Sequence, residues 1–433
     1  MAIRMESRDV RLQGVTEKEI RSPWQRKARP RTVGCVALRS HSFEESFDKR
    51  IEENFYLDLP TKLSALKASQ SVVRSKLEEN GSFTHTILTS ANLLITRAAS
   101  TSEDHPPLAP EPGIKVYVYL SSGDSFEGEI FGFNFHYNIA IIKFKSSSRF
   151  PTAILKHIDG SIPLTTKAEL QHTSFGLRPH AEPSDLFNLC PGEKVIALGR
   201  HYLSHSLMVA PGAFRPGVLR PRFSGPGFRD RDCVELLTAS CRITVGGTGG
   251  PLINCNGEVI GINFDEHSYT SFLPINIASR CLECLEKNGR APQPWFGVKV
   301  TSYNAISANM FEKIIQKFGH ITEGVLVEEV IPESPACSSG MLPNDIIIQC
   351  GKQAVVSSSE HGPSYLFSLP LPVLVVYGEH LVFYGTLLDN TGESMEVIVM
   401  RPCLGRDLSL TIKVIDETNP KKYYRWPVPE NTF

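Results

Sequence analysis

From about residue 84 to residue 280 the apolar residues come in short runs, many with a period of two, cut by Gly, Pro, Asn and Asp. Thr86–Leu94 reads as a strand running into a turn. Lys115–Leu120 alternates, meets Ser121-Ser122-Gly123-Asp124 and returns through Phe126–Phe131, which is a hairpin pattern. Asn138–Phe144 reads as a buried strand, and Lys194–Leu198 as another after the turn Pro191-Gly192-Glu193. Leu252–Asn254 and Glu258–Phe264 flank the turn Cys255-Asn256-Gly257. Ala278–Lys287 shifts to helical spacing and is stopped by Asn288-Gly289. Many short strands at regular spacing predict a mostly β unit, a barrel or a sandwich.

A second pattern begins at Pro292. Trp295–Val300 reads as a strand, Ile306–Phe318 as an amphipathic helix and Gly324–Val330 as a strand. Ser334-Pro335-Ala336 opens a short helix that Gly340 stops, and Asp345–Cys350, Met395–Arg401 and Leu408–Val414 follow as strands. That mixture predicts a small α+β module. Residues 1–62 show no strand pattern and are expected to be a disordered or irregular arm, with periodicity starting near Leu63. Pro23–Arg31 in that arm is basic, which suits a solvated arm or a nuclear localisation signal. Ser100–Gly113 is Pro-rich and expected to be exposed, and Arg200–Asp232 reads as a mobile surface loop.

Composition narrows the class. A chain of 433 residues suggests two or three domains, and 45 basic against 46 acidic residues leaves no excess charge to bind nucleic acid or an anionic membrane. No apolar h-region marks the N-terminus, so the expected location is intracellular, in cytoplasm or nucleus, with the ten cysteines reduced. The most apolar stretch, Leu366–Leu388, is broken by Pro370, Pro372, Gly378 and Glu379 and is a poor membrane span. Cys281 and Cys284 form one CxxC without a second ligand pair, which favours two half-buried thiols on a helix over zinc. No metal and no cofactor is expected.

The most specific chemistry lies in Gly246-Gly247-Thr248-Gly249-Gly250-Pro251-Leu252, followed by INCNGEVIGINF. Glycines around one hydroxyl residue let the backbone turn sharply, expose the hydroxyl and aim N–H groups at a developing oxyanion. This block resembles the GNSGGPL region of the HtrA/Deg family, trypsin-like serine proteases with a C-terminal PDZ domain. That family's TNAHVV block is similar to Thr89-Ser90-Ala91-Asn92-Leu93-Leu94, and its D-[LI]-A-[VI] strand to Asn138-Ile139-Ala140-Ile141. The unit from Pro294 resembles its PDZ domain through PWFGV, GVLVEEVIPESPACSSGMLPNDIII and MEVIVMRP in order. The resemblance implies a trypsin-like double β-barrel over 63–290, a PDZ-like domain over 292–415 with an insertion near 357–383, and a tail over 416–433.

The resemblance fails at the chemistry. The family's catalytic histidine, aspartate and serine positions carry Asn92, Asn138 and Thr248, so no triad residue is intact. Asn92 cannot take a proton near neutral pH, Asn138 has no charge to stabilise an imidazolium, and Thr248 keeps a hydroxyl without a base. Losing such a base or nucleophile costs on the order of 10⁶ in turnover. An oxyanion hole alone, here the backbone of Gly246, Gly247 and Thr248, leaves roughly 10³ to 10⁴ over the uncatalysed rate. The chain therefore reads as a pseudoprotease that binds protein or peptide; the alternative is a residual serine-type hydrolase with Thr248 as nucleophile. His85 and His136 are read as surface histidines rather than a relocated base, and Cys241 is no better as a nucleophile.

By the same resemblance Trp295, Phe296, Gly297 and Val298 form the carboxylate loop and first groove strand of a peptide site, either open or blocked by the insertion. The implied partners are protein C-termini or unfolded peptide segments, and the family implies a homo-oligomer, a trimer. One further expectation concerns the barrel: Ser71-Val72-Val73 is followed almost at once by Arg74–Phe83 and Thr86, so one strand-length is expected to be missing there.

Overall fold

The computed structural model describes residues 2–6, 31–33, 58–94, 113–120, 123–158, 186–200, 206–215, 236–243, 245–266, 269–302, 324–354, 386–402 and 404–416, together with positions 312, 314, 316 and 383. Its strands form three main antiparallel sheets. The first contains β1 (Ala2–Glu6), β2 (Arg31–Val33), β3 (Arg74–Leu77), β4 (Phe83–Thr89), β5 (Lys115–Tyr119), β6 (Ser125–Asn134) and β7 (Ile139–Ser146). Its order is β2-β1-β5-β6-β7-β4-β3. Alternation along β5 puts Val116 and Val118 inside, whereas Ile139–Ile142 of central β7 are all buried.

The second sheet contains β8 (Lys194–Arg200), β9 (Leu207–Ala213), β10 (Leu237–Ala239), β11 (Pro251–Asn254), β12 (Val259–Glu266) and β13 (Tyr269–Pro274), in the order β10-β13-β12-β11-β8-β9. One continuous core joins the two sheets, from Val116 and Ile141 on one side to Leu198, Ile253 and Phe272 on the other. Helix α1 (Leu59–Ser69) starts at Asp58, whose side chain accepts from the Thr61 N–H. Helix α2 (Ile275–Asn288) buries Ile277, Ala278, Cys281, Leu282 and Leu285 and ends on Gly289 at φ +72°, the left-handed cap that glycine adopts without strain.

The C-terminal module has β14 (Pro294–Trp295) paired with β21 (Ile415–Asp416), and a sheet ordered β15 (Val298–Ser302), β16 (Val325–Val330), β17 (Ile346–Cys350), β19 (Ser394–Arg401), β20 (Arg406–Lys413), with β18 (Gln353–Ala354) on β17. Ser334 caps the short helix α3 (Pro335–Ser338). An ion pair between half-buried Arg401 and buried Asp345 braces this sheet. Arg401 donates from Nε and Nη2 to Asp345 at 2.8 and 2.7 Å, and Asp345 also accepts the Leu342 N–H. The module is tied to α2 through Arg280 and Asp389, 3.3 Å apart, and through Leu388, which joins the large core.

Four expectations need correction. Residues 2–6 are not an irregular arm: they form β1, paired along β5, and Arg31–Val33 adds to it. The stretch after Val73 lacks no strand among the described residues, because Arg74–Leu77 pairs with Phe83–Thr86 as a hairpin around Asn80-Gly81. The segment after Arg200 is not all loop: Leu207–Ala213 pairs with β8 along its whole length, and Pro211 is tolerated because β9 is an outer strand. The strand expected over Trp295–Val300 is broken at Phe296-Gly297, where Gly297 takes φ +88°. Residues 23–30, 100–112 and 357–382 lie outside the described residues. So does most of Ile306–Phe318, whose described positions 312, 314 and 316 are helical.

Candidate functional site

β4 ends at Thr89 and passes through Ser90 into a 3-10 turn, Ala91–Leu94. Asn138 stands just before β7, fully buried and at φ +55°, a left-handed conformation that asparagine tolerates. Its Oδ1 accepts from the Asn92 N–H at 2.8 Å and from the Ser90 hydroxyl at 2.8 Å, and its backbone carbonyl accepts from the Ala91 N–H at 3.2 Å. The carboxamide oxygen therefore holds the turn that carries Asn92. It does so as a neutral dipole, so the junction keeps its shape without a titrating group.

The glycine loop meets this junction from the second sheet. Val245–Gly247 form a 3-10 turn, the Gly249 N–H donates to Asn263 O at 2.8 Å, and the Gly250 N–H donates to Gly247 O at 3.0 Å. Asn263 locks the other side, its N–H donating to Gly250 O and its Nδ2 to Pro251 O. Gly249 has φ +80°, and a Cβ there would lie 2.4 Å from Thr89 Oγ1 and 2.7 Å from Ser90 N. A Cβ on Gly250 would lie 2.1 Å from Leu198 O. Only glycine lets the loop approach both strands so closely. Asn92 and Asn138 are thus bonded directly, and half-buried Thr248 sits beside the glycine that touches Thr89 and Ser90. Gly246 and Gly247 are buried in the same turn. Behind the loop lies a mostly apolar cavity of about 110 Å³, walled by α1, Leu88, Leu198, Gly249 and Ile262.

The histidines near this site in sequence are engaged elsewhere. His85 is not a surface residue as expected: it occupies a core-facing position of β4 and is fully buried. Its Nε2 lies 2.9 Å from Ser146 Oγ and 3.1 Å from Ser148 O, and its ring packs among Phe83, Phe144 and Phe150. Burial holds its pKa below the usual imidazole value, with the Ser148 carbonyl opposing that shift. His136 is half-buried and meets the Tyr137 ring edge-on. Cys241 is fully buried, its Sγ 3.7 Å from Val195 O, and burial pushes its pKa up to about 12, so it is no nucleophile. Cys281 is buried with its thiol pKa raised by desolvation, and Cys284 is half-buried.

A second candidate lies on the C-terminal module. Trp295 belongs to β14, Phe296-Gly297 make the turn and Val298 opens β15. Phe296 is buried against Phe383, ring centroids 5.8 Å apart, and its carbonyl accepts the Ala336 N–H. Gly297 O accepts the Ile331 N–H at 2.9 Å, and a Cβ on Gly297 would collide with Ser334. β15 is the outer strand of its sheet, with β16 as its strand neighbour among the described strands. The sequence points to the glycines and to Asn92, Asn138 and Thr248, which the fold brings to the junction at the end of β4. Sequence reasoning missed Ser90 and Asn263, whose roles depend on contacts remote in sequence.

The Trypsin-like peptidase domain family matches residues 72–262. The chain is similar to protease Do-like 14 of Arabidopsis thaliana, 28% identical over 311 residues that cover 71% of this chain and 58% of that protein. It is similar to serine protease HTRA3 of Homo sapiens, 27% identical over 292 residues that cover 66% of this chain and 56% of that protein. The chain thus spans little more than half the length of these relatives. Among solved structures it is similar to the HtrA-type protease AlgW with tripeptide, at 16% identity and TM-score 0.47, covering 82% of this chain and 98% of that one.

Proposed function

This chain is a homologue of the HtrA/Do-like serine proteases, and from that premise we propose that it is a catalytically inactive member that works by binding peptides. One observation carries the reading. At the site where a protease of this fold moves protons, Asn138 Oδ1 bonds the Asn92 N–H, and both side chains are neutral amides. With an amide at Asn92, where the resembled family has its base, the Thr248 hydroxyl remains a weak nucleophile. The chain keeps the glycine run that such a loop uses, so peptide binding near Thr248 is compatible with the absence of turnover.

Peptide capture belongs mainly to the C-terminal module, read as a PDZ domain. The position of β15 at the end of its sheet's strand order supports it, since an extended peptide gains main-chain hydrogen bonds by adding a strand to a sheet edge. The Phe296-Gly297 turn before β15 would receive the peptide's terminal carboxylate. The test is a titration of the full chain with apolar C-terminal peptides, read by fluorescence polarisation. Free-acid peptides should bind in the micromolar range, about −8 kcal/mol, and amidated ones at least tenfold more weakly. Equal binding of both forms would contradict carboxylate capture.

A further inference from the structure

Residues 74–146 supply β3 to β7, and in a sheet built from them alone β5 would be an outer strand. An outer strand presents a row of unpaired N–H and C=O groups, a template for another strand. Here that side of β5 is taken by β1, from more than a hundred residues upstream. The register is antiparallel and continuous: Ala2 opposite Tyr119, Ile3 opposite Val118, Arg4 opposite Tyr117, Met5 opposite Val116 and Glu6 opposite Lys115. β1 is held on its far side over only three pairs, Ile3–Val33, Arg4–Thr32 and Met5–Arg31. Along β5 the residues opposite Ile3 and Met5 are the buried Val118 and Val116, while Lys115, Tyr117 and Tyr119 are half-buried. Lys115 also reaches Glu127 on β6, 3.9 Å away.

We propose that the outer side of β5 is a strand-accepting site for an extended polypeptide with apolar residues at alternate positions and an acidic residue opposite Lys115. Residues 2–6 are its resident occupant, and such a segment from another protein displaces them. Two features select that partner. Strand addition supplies main-chain hydrogen bonds to any extended peptide, and the side chains at alternate positions set the specificity. The resident sequence Ala-Ile-Arg-Met-Glu has that alternation, with its glutamate opposite the lysine. This seat recognises an internal segment rather than a free C-terminus, so it stands apart from the peptide capture proposed above.

The test uses the full chain and a fluorescein-labelled, C-terminally amidated peptide of residues 2–8, followed by anisotropy. Amidation removes the carboxylate, so a failure here leaves the C-terminal reading untouched. Arg4→Pro removes an N–H from the middle of β1, which lies between two strands where proline is poorly tolerated. The variant chain should bind the peptide at least tenfold more tightly than the unmodified chain, and a peptide carrying the same proline should not bind. Equal affinity for both chains, or a folded Arg4→Pro chain that binds no peptide, would overturn the proposal. If Arg4→Pro does not fold, Glu6→Pro at the strand's end gives the same reading. Failure of both to fold would make β1 an integral part of the barrel and also overturn it.

Discussion

The junction around Asn92, Asn138 and Thr248 and the C-terminal module around β15 hold their shapes by opposite means. At the junction no charge is involved: a buried carboxamide, a serine hydroxyl and four glycines fit two strand ends together, with a Cβ at Gly249 or Gly250 landing less than 2.5 Å from a neighbour. In the module the sheet is braced by a charge pair, buried Asp345 with half-buried Arg401. The difference teaches that geometry and proton chemistry are separable. Under the proposed function, the junction is a site that keeps its backbone turns while Asn92 and Asn138 supply neutral amides.

The comparison predicts its largest effect for restored chemistry. Asn92→His, Asn138→Asp and Thr248→Ser together should raise casein hydrolysis by on the order of 10³ or more, because the missing base and nucleophile cost far more than any residual geometric mismatch. Continued silence of the triple variant would mean that the junction no longer holds a triad within about half an ångström of working geometry. Next come the two bracing schemes. Asp345→Ala leaves Arg401 without the carboxylate it pairs with and should destabilise the module by about 3–5 kcal/mol in urea unfolding. Gly249→Ala forces a side chain at φ +80° against Thr89 and should cost about 3 kcal/mol through strain and overpacking.

How much of this was legible beforehand depends on the range of the interactions. β5, β6, β7 and the β11–β12 hairpin follow from period-two runs and their Gly and Asn turns, which are local signals. β1 was not legible, since an alternation only five residues long does not stand out and its partner lies more than a hundred positions away. β9 was hidden by Pro211-Gly212, which reads as loop until β9 is known to be an outer strand. At the site the same division holds. The glycine run and the positions of Asn92, Asn138 and Thr248 could be read from the residues, whereas the bond from Ser90 to Asn138 and the lock at Asn263 could not. His85 was misread because a polar residue was placed by its type rather than by its position on β4.

Two smaller effects sharpen the contrast. Asn138→Ala removes the acceptor for the Asn92 N–H and the Ser90 hydroxyl and should cost about 2 kcal/mol, seen as a lower urea midpoint with an unchanged slope. The smallest effect belongs to His85. Its folded pKa is lowered by burial, so its contribution to stability is complete above the unfolded value near 6.5 and is lost as pH falls through the folded value. Urea unfolding at successive pH values below 6.5 should therefore show a loss of less than about 1.4 kcal/mol per pH unit that His85→Gln abolishes.

The central claim is that the junction has the shape of a protease site without its proton chemistry. Incubating the unmodified chain and Thr248→Ala with unfolded casein and with a fluorophosphonate probe tests it most directly. The account predicts that neither chain cleaves casein above buffer and neither is labelled. Cleavage or labelling of the unmodified chain that disappears in Thr248→Ala would contradict it and make Thr248 a working nucleophile.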